Sequence, residues 1–303
     1  MKLLQAIGKK YSILDSANFL ILAIFIIIFI TTFNNTPWRW TLLIYYTFLF
    51  LFLLTMIRMR STDLKNNYKV LLMFVNPVVF LFSIFESFFM LLPYFNNNRY
   101  DALLEKADLF ILGVSPTLWV EQFISPMLTD ILYLFYFFYF PMPLIILGWM
   151  LKKKKYKEIE KTMFIFLFCY YGAYLLYFLI PAQGPRFFLS ESYTIPLKGY
   201  FLAGPIHAII DTLEPNKLDA FPSLHTAILI VTMAVSYLYN KKIFIWFLPL
   251  TVGILISLIY CRYHYFIDIM AGLIWATFTL IFASFIYRKS STFFIDHFGV
   301  RQK

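Results

Sequence analysis

Eight stretches of this sequence are apolar over about the length needed to cross a bilayer: residues 17–33, 38–57, 70–92, 127–151, 162–181, 222–239, 243–260 and 264–287. A spanning helix takes roughly 20 predominantly apolar residues, and eight such runs cannot all be hidden in one water-soluble core. Composition agrees. The 303 residues are 61% hydrophobic, 21% aromatic and 14% charged, against about 45–50% apolar and about 25% charged for a soluble domain. Disorder, a collagen-like fibre and a disulfide framework are excluded on the same ground. The expected fold is all-α, a polytopic membrane bundle of about eight transmembrane helices.

The first run follows Lys9 and Lys10, as a signal peptide would. It is long, however, and Thr-Thr-Phe-Asn-Asn-Thr-Pro follows it rather than a small-residue cleavage site, so it reads as a retained helix. Basic residues then orient the spans. With the N-terminus in the cytoplasm, the cytoplasmic segments carry Lys2, Lys9, Lys10, Arg58, Arg60, Lys65, Lys69, Lys152 to Lys155, Lys157, Lys161, Lys241, Lys242, Arg288, Lys289, Arg301 and Lys303. That is 19 of the 26 Lys and Arg. The opposite side holds seven: Arg39, Arg99, Lys106, Arg186, Lys198, Lys217 and Arg262. Positive residues favour the cytoplasmic side, so both termini are expected there. The net charge of +10 is then mainly a topology signal, with anionic headgroups as its natural partner. No nucleic-acid partner is expected.

Cys169 and Cys261 form no disulfide or metal-ligand pattern and read as packing residues. Two outer segments, about 93–126 and 182–221, are too long to be simple turns. The first reads as an amphipathic stretch at the membrane interface, with Leu103, Leu104, Phe110, Ile111, Leu118 and Trp119 among Asp101, Glu105, Asp108 and Glu121.

Ionisable groups at membrane depth are costly and mark function by default. Here they gather at the outer ends of three spans, in Pro181-Ala-Gln-Gly-Pro-Arg186, Asp219-Ala-Phe-Pro222-Ser223-Leu-His225-Thr226 and Arg262-Tyr-His264-Tyr-Phe-Ile-Asp268. His264 and Asp268 are i, i+4 and share a helix face. A carboxylate on one imidazole nitrogen leaves the other as a nucleophile or base. Pro222 suits a first helical turn, and the Ser223 N–H near that terminus suits an oxyanion. Arg186 suits bidentate phosphate contact. Two His and one Asp fall short of a zinc ligand set, so metal-free phosphoryl chemistry is expected. Taken singly, Arg262 also reads as snorkelling to headgroups and Asp219 as a loop carboxylate or N-cap. His207 and His297 read as interfacial and tail residues.

At these residues the chain resembles the type 2 phosphatidic acid phosphatase superfamily of membrane lipid phosphatases and phosphotransferases. It is most similar to the branch containing inositol phosphorylceramide synthase and its bacterial relatives. The matching pieces are Gly184-Pro185-Arg186, Phe221-Pro222-Ser223-Leu224-His225-Thr226 and Tyr263-His264-Tyr265-Phe266-Ile267-Asp268 with Ala271-Gly272; Leu112-Gly-Val-Ser-Pro-Thr-Leu-Trp119 is a weaker match. The resemblance covers about residues 100–288 and implies a six-helix-type core. It implies His264 as the nucleophile that becomes phosphohistidine, Asp268 as its orienting carboxylate, His225 as the acid for the leaving alcohol and Arg186 as a phosphate ligand. Arg262 and Ser223 complete the expected phosphate site. No cofactor is implied. Two cations of the phosphatase members are replaced here by Leu179 and Leu258, as in the phosphotransferase-like branch.

The expected organisation is therefore three N-terminal spans (1–92), an interfacial segment (93–126), a catalytic core (127–288) and a cytoplasmic tail (289–303). The expected substrate is a phospholipid or lipid phosphate at the non-cytoplasmic face, with water, a polyol or a lipid alcohol as acceptor. A transporter or channel gated by the His/Asp/Arg cluster is the alternative. The one-sided cluster and the lack of an internal repeat disfavour it. A catalytically dead lipid-binding scaffold is disfavoured by the intact His225, His264 and Asp268.

Overall fold

The computed structural model describes residues 12–60, 66–213 and 218–298, apart from the helical side chains at 66–70, 213 and 291–298. Of the charge pattern above, Lys2, Lys9, Lys10, Lys65, Lys217, Arg301 and Lys303 lie outside the described residues. The side chains of Lys69 and His297 do too.

The described chain is helical: α1 (Ile13–Thr32), α2 (Arg39–Arg60), α3 (Asn66–Phe95), α4 (Asp101–Leu112), α5 (Pro126–Phe137), α6 (Pro141–Lys152), α7 (Tyr156–Leu179), α8 (Ala203–Leu213), α9 (Leu224–Tyr239), α10 (Lys241–Tyr260) and α11 (Phe266–Phe298). Among the described residues six helices, α1, α2, α3, α7, α10 and α11, are long and apolar enough to cross a membrane. The protein is a multi-pass integral membrane protein. Their outward faces carry bare apolar side chains such as Ile44, Phe48 and Ile274, which lipid tolerates and water does not.

Four sequence expectations are modified. The run at 127–151 is two helices, α5 and α6, bent by 41° across the break at Phe138–Phe140, with Pro141 opening the second. The run at 222–239 begins at Leu224, because Ser223 rather than Asp219 caps it, and its 16 residues place it below spanning length. The segment 182–221 contains a helix of its own, α8. The last helix continues to Phe298, into the expected tail, although the candidate span within it ends at Ser290.

The chain divides into two compact units. One takes the described parts of Met1–Asn96, Lys153–Tyr171 and Thr279–Lys303. Ser12 caps α1 in a capping box with Asp15, and Asp15 also accepts from Arg60 of α2 and from Asn76 of α3 at 2.8 Å. Tyr171 donates to Asn18 at 2.7 Å, and Glu160 accepts from Ser12 at 2.6 Å and Tyr287 at 3.3 Å. Between apolar helices in lipid, such polar pairs fix which faces meet.

The second unit, Asn97–Lys152 and Gly172–Phe278, holds α4, α5, α6, α8, α9 and α10. Its core is built on Leu132, Tyr133, Tyr136, Ile206, Ile210, Leu258 and Tyr260. Gly272 allows α11 to close on the start of α9: a Cβ there would sit 2.5 Å from the Ser223 carbonyl oxygen.

Candidate active site

Three loops meet in the second unit, and their backbones are tied to one another. Ala220 N–H donates to Ala182 at 3.1 Å, Arg186 N–H to Arg262 at 2.9 Å and Ser223 N–H to Asp268 at 3.0 Å. Together they bring 181–186, 219–223 and 260–268 into one framework, as the three sequence motifs imply.

Carboxylates from other helices hold those loops in place. Asp101 of α4 accepts from Gln183 N–H at 3.0 Å, from Gly184 N–H at 2.9 Å and from the Tyr265 hydroxyl at 3.1 Å. About two helical turns further on, Asp108 accepts from Phe266 and Ile267 N–H at 2.7 and 2.8 Å, at the start of α11. There the carboxylate also complements the helix dipole. Asp130 of α5 accepts four consecutive N–H groups, Tyr200 to Ala203, where α8 begins. These three residues were not singled out from sequence. The available signal is that Asp101, Leu104 and Asp108 share one helix face. That face is the buried one, while Leu103, Phe110 and Ile111 are exposed.

At the centre lie two histidines. Ser223 caps α9, accepting from Thr226 N–H at 3.2 Å, and so sets the first turn that carries His225. His225 Nδ1 is 3.1 Å from His264 Nε2. His264 Nδ1 is 3.0 Å from the Ala220 carbonyl and 3.3 Å from Asp268 Oδ2, and both of these are acceptors. Asp268 also accepts from Tyr265 N–H at 2.9 Å. His264 Nδ1 therefore carries the hydrogen and Nε2 the lone pair. Burial, and secondly the neighbouring His225, lower the His264 pKa well below the ordinary imidazole value, which keeps the ring neutral. A neutral imidazole with its lone pair directed at a second histidine is an arrangement for nucleophilic attack coupled to proton transfer.

The two arginines occupy an adjoining place. Arg186 makes a two-pronged pair with Asp211, at 2.9 and 3.1 Å, and lies over the Tyr263 ring. Arg262, left-handed at φ 64°, donates to Glu121 and to the Ile195 carbonyl, both at 2.7 Å, and sits over Tyr193. Both line a cavity of about 200 Å³ together with Tyr133, Leu197, Ala203, Gly204 and His207. The structure thus groups His225, His264 and Asp268 in one cluster and Arg186 with Arg262 in a cavity beside it. Ser223 departs from expectation. Its N–H, expected to be open to a phosphate oxygen, is given to the Asp268 carbonyl, and its side chain caps α9. Pro222 precedes that cap instead of lying in the first turn. Among the described residues no group of three or more His, Cys, Asp or Glu could hold a metal ion.

Gly184 gives a direct test of the loop framework. Its φ is +86°, and a Cβ would approach the Tyr263 carbonyl oxygen to 2.6 Å. Gly184→Ala is expected to cost about 1–3 kcal/mol in backbone strain and to shift Arg186, lowering both the melting temperature and kcat/KM. A variant that melts and turns over like the parent would show that the loop has slack.

Comparison with known proteins places this part of the chain in a family. A PA-phosphatase related-family protein of Dictyostelium discoideum is 26% identical over 226 residues, which is 63% of this chain and 40% of that protein. The chain therefore spans well under half the length of that relative. No solved structure matches. The family described as the PAP2 superfamily matches residues 110–282, an interval that contains both arginines, both histidines and Asp268. On that match, which covers more than half its length, this chain belongs to the PAP2 superfamily.

Proposed function

We propose that the protein is a membrane lipid phosphatase or phosphotransferase that works through a phosphohistidine. The observation that carries this reading is the 3.1 Å contact between His225 Nδ1 and His264 Nε2, with His264 Nδ1 held by Ala220 and Asp268. His264 Nε2 attacks phosphorus, and the alcohol leaves with a proton from His225. Water or a second alcohol then takes the phosphoryl group from His264 in the reverse sense. Asp268 stabilises the histidine as it gains positive character. Arg186, exchanging Asp211 for a phosphate oxygen pair, and Arg262 neutralise the transferred group, which is where most of the rate in phosphoryl transfer arises.

Transfer to a polyol or lipid alcohol, as in the inositolphosphotransferase branch, is favoured over hydrolysis by Leu179 and Leu258, which stand where the phosphatase members carry cations. The bias of basic residues supports both termini in the cytoplasm and a reaction at the opposite face.

Purified protein given a short-chain phospholipid, an added polyol and EDTA is expected to form a new phosphodiester, identified by mass spectrometry. Sealed vesicles of known orientation should turn over the same impermeant substrate from the non-cytoplasmic side alone. Release of inorganic phosphate as the sole product would reduce the reading to a phosphatase. Loss of all turnover in EDTA would overturn the histidine mechanism.

A further inference from the structure

The cluster contains a fourth member that none of the motifs includes. Tyr136 is fully buried near the end of α5, and its hydroxyl lies 2.8 Å from His225 Nε2. Its ring stacks on Tyr263 at 4.5 Å, one residue from His264. Tyr139, three positions on and beyond the end of α5, packs its ring 4.5 Å from His225. The break between α5 and α6 at Phe138–Phe140 thus sets two tyrosines against one imidazole.

We propose that Tyr136 is a positioning residue for proton transfer: it holds His225 so that Nδ1, and never Nε2, exchanges the proton with the leaving and entering alcohols. This rests on the phosphohistidine reading above. A phenol both donates and accepts, so it serves His225 in either protonation state. In the resting site Tyr136 donates to Nε2, and Nδ1–H points at the His264 lone pair. A substrate phosphoryl group at His264 Nε2 replaces that direct contact. As substrate binds, His225 takes up one proton on Nε2 from solvent or from the substrate's own phosphate hydroxyl and becomes imidazolium; Nε2–H then donates to the Tyr136 oxygen and Nδ1–H faces the leaving oxygen. As the His264 N–P bond forms and the P–O bond breaks, the leaving oxygen keeps the bonding pair and takes the Nδ1 proton. His225 is left neutral with its remaining proton on Nε2, still bonded to Tyr136, and with a lone pair on Nδ1. That lone pair accepts the proton of the entering water or alcohol as its oxygen bonds phosphorus and the N–P pair returns to His264. Without the phenol, both neutral tautomers and both ring orientations of His225 become accessible, and half the cycle starts from the wrong one.

The test uses leaving-group dependence, because an activated leaving group needs no proton. On a short-chain alkyl phosphate ester, Tyr136→Phe is expected to lower kcat by at least about tenfold, part of the roughly 10²–10⁴ that general acid–base catalysis supplies, with KM nearly unchanged. On the matching 4-nitrophenyl ester the same variant should stay within about threefold of the parent. In a His225→Ala background, Tyr136→Phe should add less than about twofold, since it acts through the missing ring. Equal losses on the two esters, a further tenfold loss in the His225→Ala background, or an unchanged kcat on the alkyl ester would each overturn the proposal. A variant that merely folds poorly loses activity on both esters and so falls on the negative side. If instead His264→Ala retains turnover of both esters, the phosphohistidine reading itself has failed.

Discussion

His264→Ala is expected to reduce turnover of a lipid phosphate by roughly 10³-fold or more, the loss typical when a covalent nucleophile is removed from a coupled catalytic set. The ring is buried and bonded on both nitrogens, to Ala220 and Asp268 on one side and His225 on the other. The conservative His264→Gln therefore serves as a folding control that keeps volume and polarity but lacks the imidazole lone pair. Both variants should fail to take up label from a phosphorus-32 substrate at alkaline quench, where the parent forms an acid-labile adduct. The pH profile carries the same information. As the proposed nucleophile His264 would act as the neutral ring, and its pKa is lowered by burial first and by His225 second. The acid limb of kcat/KM belonging to it should consequently fall below the ordinary imidazole range of about 6.5, since a lowered pKa keeps the ring neutral to more acidic pH. Label retained in His264→Ala would mean that another residue takes the phosphoryl group.

The second large effect is expected away from the histidines. Asp101→Ala removes the acceptor for Gln183 N–H, Gly184 N–H and the Tyr265 hydroxyl at once, in a place where Asp101 is almost fully buried. Leaving two buried backbone donors unpaired costs about 1–3 kcal/mol each, so a loss of about 3 kcal/mol in stability is expected. Arg186, three residues after Gln183 in the same loop, should shift with it. Thermal melting in detergent would register the first effect. A fall in kcat/KM greater than the fall in folded fraction would register the second. Asp101→Asn, which keeps one acceptor oxygen, should lie between parent and alanine. If Asp101→Ala melts and turns over like the parent, the α4 carboxylates are not what holds the loops.

How much of this was legible beforehand differs by element. The long spans were readable because lipid demands twenty apolar residues in a row, a constraint that one helix satisfies by itself. The break between α5 and α6 was not, because the apolar run continues unbroken through Phe137 to Pro141 and hydropathy does not register a bend. α8 was missed for the converse reason: as a short helix in a polar, Pro- and Gly-containing segment it is defined by the Asp130 carboxylate at its start, which lies some seventy residues away in sequence. On α4 the sequence showed an amphipathic stretch but not which face packs: Leu103, Phe110 and Ile111 point outward, while Asp101 and Asp108 turn in, because the adjoining loops present N–H groups that need acceptors.

At the site itself, sequence alone singled out the residues proposed to carry the chemistry. His225, His264 and Asp268 were identifiable from local patterns, the four-residue spacing of His264 and Asp268 and the Pro-Ser-x-His run, although His264 lies in the loop just before α11 and does not share a helix face with Asp268. Only the tertiary structure decided how they are used. It faces His225 Nδ1 to His264 Nε2, spends the Ser223 N–H on the Asp268 carbonyl, pairs Arg186 with Asp211, and adds Tyr136 from a helix that no motif touches. Those outcomes depend on contacts between residues 25 to 89 apart. No local pattern encodes them, because a hydrogen bond is chosen by which groups the packed helices leave within three ångströms of one another.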